Sequence, residues 1–152
     1  MIVQLTFDQV ANLWDVIKYA IEESLPPIAS GGPDRMNNIL SSLLDGRMQC
    51  WISYKKKEPN KFEGVVVTRI IKDDCSGVSS LLVYCLYGYE MVDRASWAEG
   101  YKALSKWGKS KKCSRIIGYA DNEKVRRVAS QLGGSTQYTF ISIPIEVRDE
   151  DI

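Results

Sequence analysis

Between Val78 and Leu132 the chain reads as strand, helix, strand, helix, and this order constrains the fold more than any other stretch. Leu81-Leu82-Val83-Tyr84-Cys85-Leu86 and Arg115-Ile116-Ile117-Gly118-Tyr119-Ala120 are short apolar runs of buried-strand length. Between them, Trp97, Tyr101, Leu104 and Trp107 form the stripe of a helix from Ser96 to Lys112, opened by the capping-box pattern Ser96-Trp97-Ala98-Glu99. Gly100 inside this helix costs about 1 kcal/mol in propensity, which predicts close backbone packing or a neighbour pressing near. Asp121-Asn122 opens a second helix with Val125, Val128, Ala129 and Leu132 on one face, and Gly133-Gly134 stops it. Such a unit needs parallel strands and a crossover helix packed on the sheet. Ligands of these sheets sit beyond the carboxyl ends of the strands, where the helices begin.

The flanking segments extend the pattern. Ile2-Val3-Gln4-Leu5 predicts an edge strand, and Thr6-Phe7-Asp8-Gln9 fits a capping box ahead of a helix from about Phe7 to Ser24. Pro26-Pro27 ends that helix, since neither residue donates a backbone N–H. After the loop Ala29-Ser30-Gly31-Gly32, Pro33 predicts the first turn of a second helix faced by Met36, Ile39, Leu40, Leu43 and Leu44 and stopped by Gly46. Gln49–Tyr54 and Phe62–Ile71 read as strands around the charged turn Lys55-Lys56-Lys57-Glu58-Pro59-Asn60. With the strand that follows Gly77 they predict an antiparallel meander. The lysine run is either a solvated turn or an anion contact. Thr136 to Ile145 alternates as one long final strand, and Glu146 to Ile152 is a polar tail. The expected layout is a single α/β (α+β) domain, residues 1–152, with a mixed central sheet in the order β-α-α-β-β-β-α-β-α-β.

Several kinds of chemistry are excluded by what the chain contains. Its 152 residues include no histidine, which removes histidine triads and histidine metal sites together. The four cysteines, Cys50, Cys75, Cys85 and Cys113, show no C-x-x-C spacing and predict reduced thiols rather than a metal site or disulfide. A net charge of +1 gives no support for a nucleic-acid partner. No apolar run approaches the roughly 20 residues of a membrane span, and the first residues lack a signal-peptide pattern. These readings predict a cytoplasmic protein without a membrane or metal partner.

The order of elements, the segment Trp107-Gly108-Lys109-Ser110-Lys111-Lys112-Cys113-Ser114-Arg115-Ile116-Ile117-Gly118-Tyr119-Ala120, Asn122, and the turn Leu132-Gly133-Gly134 resemble the GNAT superfamily of N-acetyltransferases. The resemblance covers nearly the whole chain. It implies acetyl-CoA as the acyl donor and an amine, on a small molecule or a protein, as acceptor. It further implies that the backbone from Val83 to Cys85 holds the pantetheine arm, and that Arg94, Ala95, Ser96, Trp97 and Asn122 line the cofactor. The family's loop [QR]-x-x-G-x-[GA], whose backbone N–H groups cradle a diphosphate, aligns with Val92-Asp93-Arg94-Ala95-Ser96-Trp97. Here Val92, Ala95 and Trp97 replace the expected residues, and Asp93 adds a negative charge. The family's tyrosine seven residues after Asn122 is replaced by Ala129.

Catalytic candidates are therefore Tyr84 and Glu90 near the end of the central strand, with Tyr87 and Tyr89 beside them. The bland alternative for each tyrosine is packing, for Asn122 a helix cap, and for Lys124, Arg126 and Arg127 a solvated face. The resemblance thus implies two functional readings. One is an acetyl-CoA-dependent N-acetyltransferase. The other is a GNAT-like binding or assembly module, of bacteriophage or virion type, that has lost the cofactor and engages a protein partner or forms a homodimer.

Overall fold

A computed structural model describes residues 1–89 and 92–145, apart from the side chains of residues 59 and 60. The polar tail from Glu146 lies outside the described residues. The chain divides into two compact units, Met1–Tyr119 and Ala120–Ile152.

The first unit is built on a five-stranded sheet, β1 (Ile2–Gln4), β2 (Met48–Lys55), β3 (Glu58–Lys72), β4 (Ser79–Gly88) and β5 (Arg115–Gly118), in that spatial order. The first four strands run antiparallel, and β4 pairs with β5 in parallel. The β2–β3 and β3–β4 links are short because antiparallel neighbours need only a turn, whereas the parallel link requires a crossover helix. That helix is α4 (Arg94–Ser110). The mixed sheet and the meander agree with the sequence pattern.

One face of the sheet packs on α1 (Phe7–Asn12), α2 (Trp14–Glu22) and α3 (Arg35–Leu44), around Val10, Ile17, Ile21, Leu43, Ile52, Val65 and Val67. The other packs on α4 around Trp51, Val66, Leu81 and Leu104. The alternation of Val65, Val66 and Val67 between these clusters follows from the two-residue period of a strand. Cys50 and Cys85 flank Val67 on one row across β2, β3 and β4. Two strand spacings of about 4.8 Å separate their backbones, beyond the reach of a disulfide.

Local chemistry accounts for the element boundaries. The Thr6–Gln9 capping box forms, with Gln9 N–H donating to Thr6 Oγ1 at 3.2 Å and Thr6 N–H to Gln9 Oε1 at 2.9 Å. The single helix expected from Phe7 to Ser24 is instead two, broken at Leu13, whose ψ of 13° departs from the helix. Val10 and Ile17, seven residues apart across the break, are both buried in the core. Pro33 precedes α3 rather than entering it; Asp34 is the residue before its first turn. Gly46, at φ +85°, takes the left-handed position after α3. The close approach expected at Gly100 is not found in α4. A Cβ on Gly100 would meet Ile2 Cδ1 at 3.9 Å and one on Gly108 would meet Leu81 Cδ2 at 3.5 Å, both ordinary contacts.

The second unit contains α5 (Glu123–Gln131). Gly133 and Gly134 close it by donating to Ser130 O at 3.1 Å and Ala129 O at 2.8 Å, the paired bonds of a Schellman motif. The final strand expected from Thr136 to Ile145 is not formed: residues 135–145 carry no regular secondary structure. Tyr138, Ile141, Ile143 and Ile145 are strongly exposed. Alternation prepares a segment to be a strand, but a ladder of backbone partners makes it one. Among the described residues, no helix is long and apolar enough to cross a membrane.

Candidate functional site

The central strand β4 changes character halfway. Its pairing with β5 ends at Val83–Gly118, and Tyr84–Gly88 continues against β3 alone among the described residues. The register with β3 shifts at the same place: Val67 faces Cys85 while Thr68 faces Val83, so Tyr84 is the extra residue of a β-bulge. Bulges re-aim side chains and are common beside active sites. Here the bulge coincides with an opening of the sheet at the carboxyl ends of its parallel strands, the expected ligand position.

Two clefts flank this end of the unit. One, of about 410 Å³, is lined by Tyr84 together with Arg69, Met48 and residues of the α3 start, including Arg35 and Asn38. Burial pushes the Tyr84 phenol above its ordinary value, with the Cys85 thiol adding to the shift and the Arg69 charge opposing it. A raised phenol stays protonated at neutral pH, so Tyr84 is equipped to donate a proton rather than accept one.

The other cleft, of about 480 Å³, lies where the β2–β3 hairpin meets the start of α4. Lys55, Lys56, Lys57 and Lys61 come from the hairpin, and Asp93, Ala95, Ser96 and Glu99 from the helix start. Asp93 is the N-cap: its carboxylate accepts the Ser96 N–H at 2.8 Å. The cap therefore lies three residues before the Ser96 expected from the sequence, because the carboxylate of Asp93 reaches the first-turn donors directly. The Ser96 backbone bond is the largest cause holding Asp93 below the usual carboxylate range, with smaller help from Ala95 N–H and the charge of Lys55. The positive end of α4 is thus already facing a built-in anion.

Deep in this cleft lies Glu63, 6% exposed, at a second bulge where Ser53 faces Gly64 but Tyr54 faces Phe62. Its Oε2 is buried without a hydrogen-bond partner among the described residues, as is Nε1 of Trp97 in the first turn of α4. Glu63 was missed in the sequence. The available signal was a carboxylate beside a glycine inside an apolar strand, the mark of a bulge.

The remaining candidates are dispersed. Ala95 and Ser96 line the lysine-rimmed cleft, Arg94 is exposed beside it, and Tyr84 opens into the other. Val83 is still paired on both sides, while the Cys85 side chain is buried in the core. Tyr87 and Tyr89 pack edge-to-face at 5.0 Å, Tyr87 meets Tyr19 at 5.9 Å, and Tyr89 Oη donates to Val16 O at 3.4 Å. A hydrogen bond with Tyr19 is the leading cause of the raised Tyr87 phenol, and burial that of Tyr89. Asn122, in the second unit, caps α5 by accepting the Val125 N–H at 3.0 Å. Glu90 lies outside the described residues. No cluster of metal-ligating side chains occurs among the described residues.

No family model matches the sequence, and no curated protein does. Solved structures do match in fold. AAC(6')-Iy in complex with the bisubstrate analogue CoA-S-monomethyl-acetylneamine superposes with a TM-score of 0.69 at 14% identity, over 97% of this chain and 98% of that one. A predicted acetyltransferase from Clostridium acetobutylicum, with acetyl-CoA, gives 0.65 at 13% identity over 95% of both chains. The ribosomal-protein-alanine N-acetyltransferase of Brucella melitensis biovar Abortus 2308 gives 0.64 at 12% identity, over 95% and 99%. Identities this low establish architecture alone. The bulged central strand, the parallel opening beside it and these superpositions together make the chain a divergent GNAT-like protein in fold.

Proposed function

We propose that the chain, taken as one GNAT-like domain, is an acetyl-CoA-dependent N-acetyltransferase acting on an amine. The observation that carries this reading is the five-residue run Tyr84–Gly88, which leaves one edge of β4 without a strand partner among the described residues. That edge suits an extended pantetheine arm, which can pair with strand backbone between Val83 and Cys85. The first turn of α4 suits its phosphates, and Arg94 adds charge; Asp93 opposes them. Bound acetyl-CoA supplies an activated thioester. The chain contributes position more than covalent chemistry, holding an amine within reach of that thioester. Tyr84 holds a proton on its Oη to give to the departing sulfur, and regains one from the nitrogen through solvent.

The Asp93 carboxylate and the Trp97 ring at the α4 start favour a second reading, a GNAT-like module that binds a protein partner without the cofactor. Calorimetric titration of acetyl-CoA into wild type and Trp97→Gly separates the two. Binding by wild type, followed by acetyl transfer within an amine panel, supports the enzyme. Binding gained only in the glycine variant identifies a closed cofactor site. Binding by neither rejects the acetyltransferase reading.

A further inference from the structure

A carboxylate buried with an unpaired oxygen is expensive unless a cation or a hydrogen-bond donor reaches it. Glu63 is such a group, and its surroundings restrict what can reach it. It lies in the cleft whose rim is the lysine run Lys55–Lys57 and Lys61, with Glu58 paired to Lys61 at 4.0 Å. The carboxylate of Asp93, at the wall, is already engaged by backbone N–H groups of α4. The cleft is therefore cationic outside and offers one unsatisfied acceptor inside. A polycation meets the lysines first and is repelled. A simple anion is welcomed by the rim but meets Glu63 with the wrong sign.

We infer that this cleft binds a primary amine carried on an acidic molecule, the ammonium group resting on Glu63 and the carboxylate or phosphate groups on the hairpin lysines. The bulge at Glu63 fits this role, since it turns the carboxylate out of the regular strand alternation toward the α4 start. Three N–H donors of an ammonium satisfy Oε2 with capacity to spare. The two charges of such a ligand lie in the same order as the two charges of the cleft. The binding does not depend on acetyl-CoA, and the site is separate from the position of the proposed acceptor, since Glu63 lies four strand residues beyond the Val67–Cys85 row. Glu63 is here a binding residue, and Lys56 and Lys57, in the turn between β2 and β3, select against polycations.

The test uses the full chain without acetyl-CoA and three probes: the dipeptide Glu-Glu, its N-acetylated form, and Lys-Lys. Titration calorimetry is expected to show Glu-Glu binding that weakens at least tenfold on N-acetylation and with rising salt, and no binding of Lys-Lys. Glu63→Gln, checked for folding by circular dichroism, should weaken Glu-Glu about tenfold and leave the acetylated form unchanged. Lys56→Glu with Lys57→Glu, confined to the turn, should weaken both acidic probes and admit Lys-Lys. Equal binding of the free and acetylated dipeptides, preference for Lys-Lys, or no binding of Glu-Glu overturns the inference. Acetyl-CoA binding with no Glu-Glu binding rejects this site alone. Glu-Glu binding with no acetyl-CoA binding rejects the enzyme and keeps the site.

Discussion

The two halves of β4 follow opposite rules. From Ser80 to Val83 the strand is paired on both sides, Leu81 and Leu82 are buried, and α4 comes down on it through a glycine. From Tyr84 to Gly88 it bulges, loses its parallel neighbour and is surrounded by tyrosines and open clefts. The first half holds the sheet together; the second leaves one backbone edge without a strand partner among the described residues.

The largest expected effect of breaking this contrast is in the closed half. Leu81→Ala removes a fully buried side chain that packs against Gly108 and should destabilise the chain by about 2–5 kcal/mol in denaturant unfolding. Removing only the hydroxyl in the open half, by Tyr84→Phe, should leave the unfolding midpoint nearly unchanged. It should instead lower kcat by about 100-fold in an acetyl-transfer assay if the phenol is the proton donor. Gly64→Ala probes the backbone contact between β3 and the open half. Its Cβ would lie 2.8 Å from Tyr87 O, a main-chain atom that cannot rotate away, so a loss of about 1–3 kcal/mol is expected.

The smallest effect is the most informative about the helix start that follows β4. Asp93→Asn retains a cap of the kind that Asn122 provides for α5 but removes the charge. Acetyl-CoA should then bind severalfold more tightly at low salt. The pH dependence checks the same residue. Because the folded carboxylate titrates below its unfolded value, its contribution is complete above the ordinary carboxylate range. It is lost as pH falls through the folded value, and that part of the acid-unfolding profile should disappear in Asp93→Asn.

Much of this layout is legible from residue patterns because periodicity and caps are local. The Thr6 box, the stops at Gly46 and Gly133, and the change from a two-residue to a helical period after β4 all rest on neighbours within a turn. What escaped the pattern depends on partners distant in sequence. What a side chain at Gly100 or Gly108 would meet depends on which residues of β1 and β4 lie beneath α4. Thr136–Ile145 has the alternation of a strand without the ladder. At the site, Ala95 and Ser96 could be placed at a helix start from their loop alone, but the convergence of the lysine run and Glu63 on that start required the hairpin to be folded. Asp93 was readable as an intrusive charge; that it caps α4 follows from its reach to Ser96.

The row Cys50–Val67–Cys85 also provides a clock. Burial pushes both thiols up to about 12, so roughly one in 10⁵ is ionised at neutral pH while the sheet is closed. Cys75, exposed in the β3–β4 turn, marks the immediate reaction with an alkylating agent. Cys50 and Cys85 must wait for the strands to part. Their alkylation, followed by mass spectrometry, would time the opening of the sheet in the unmodified protein, with the two bracketing strands read separately in a single sample.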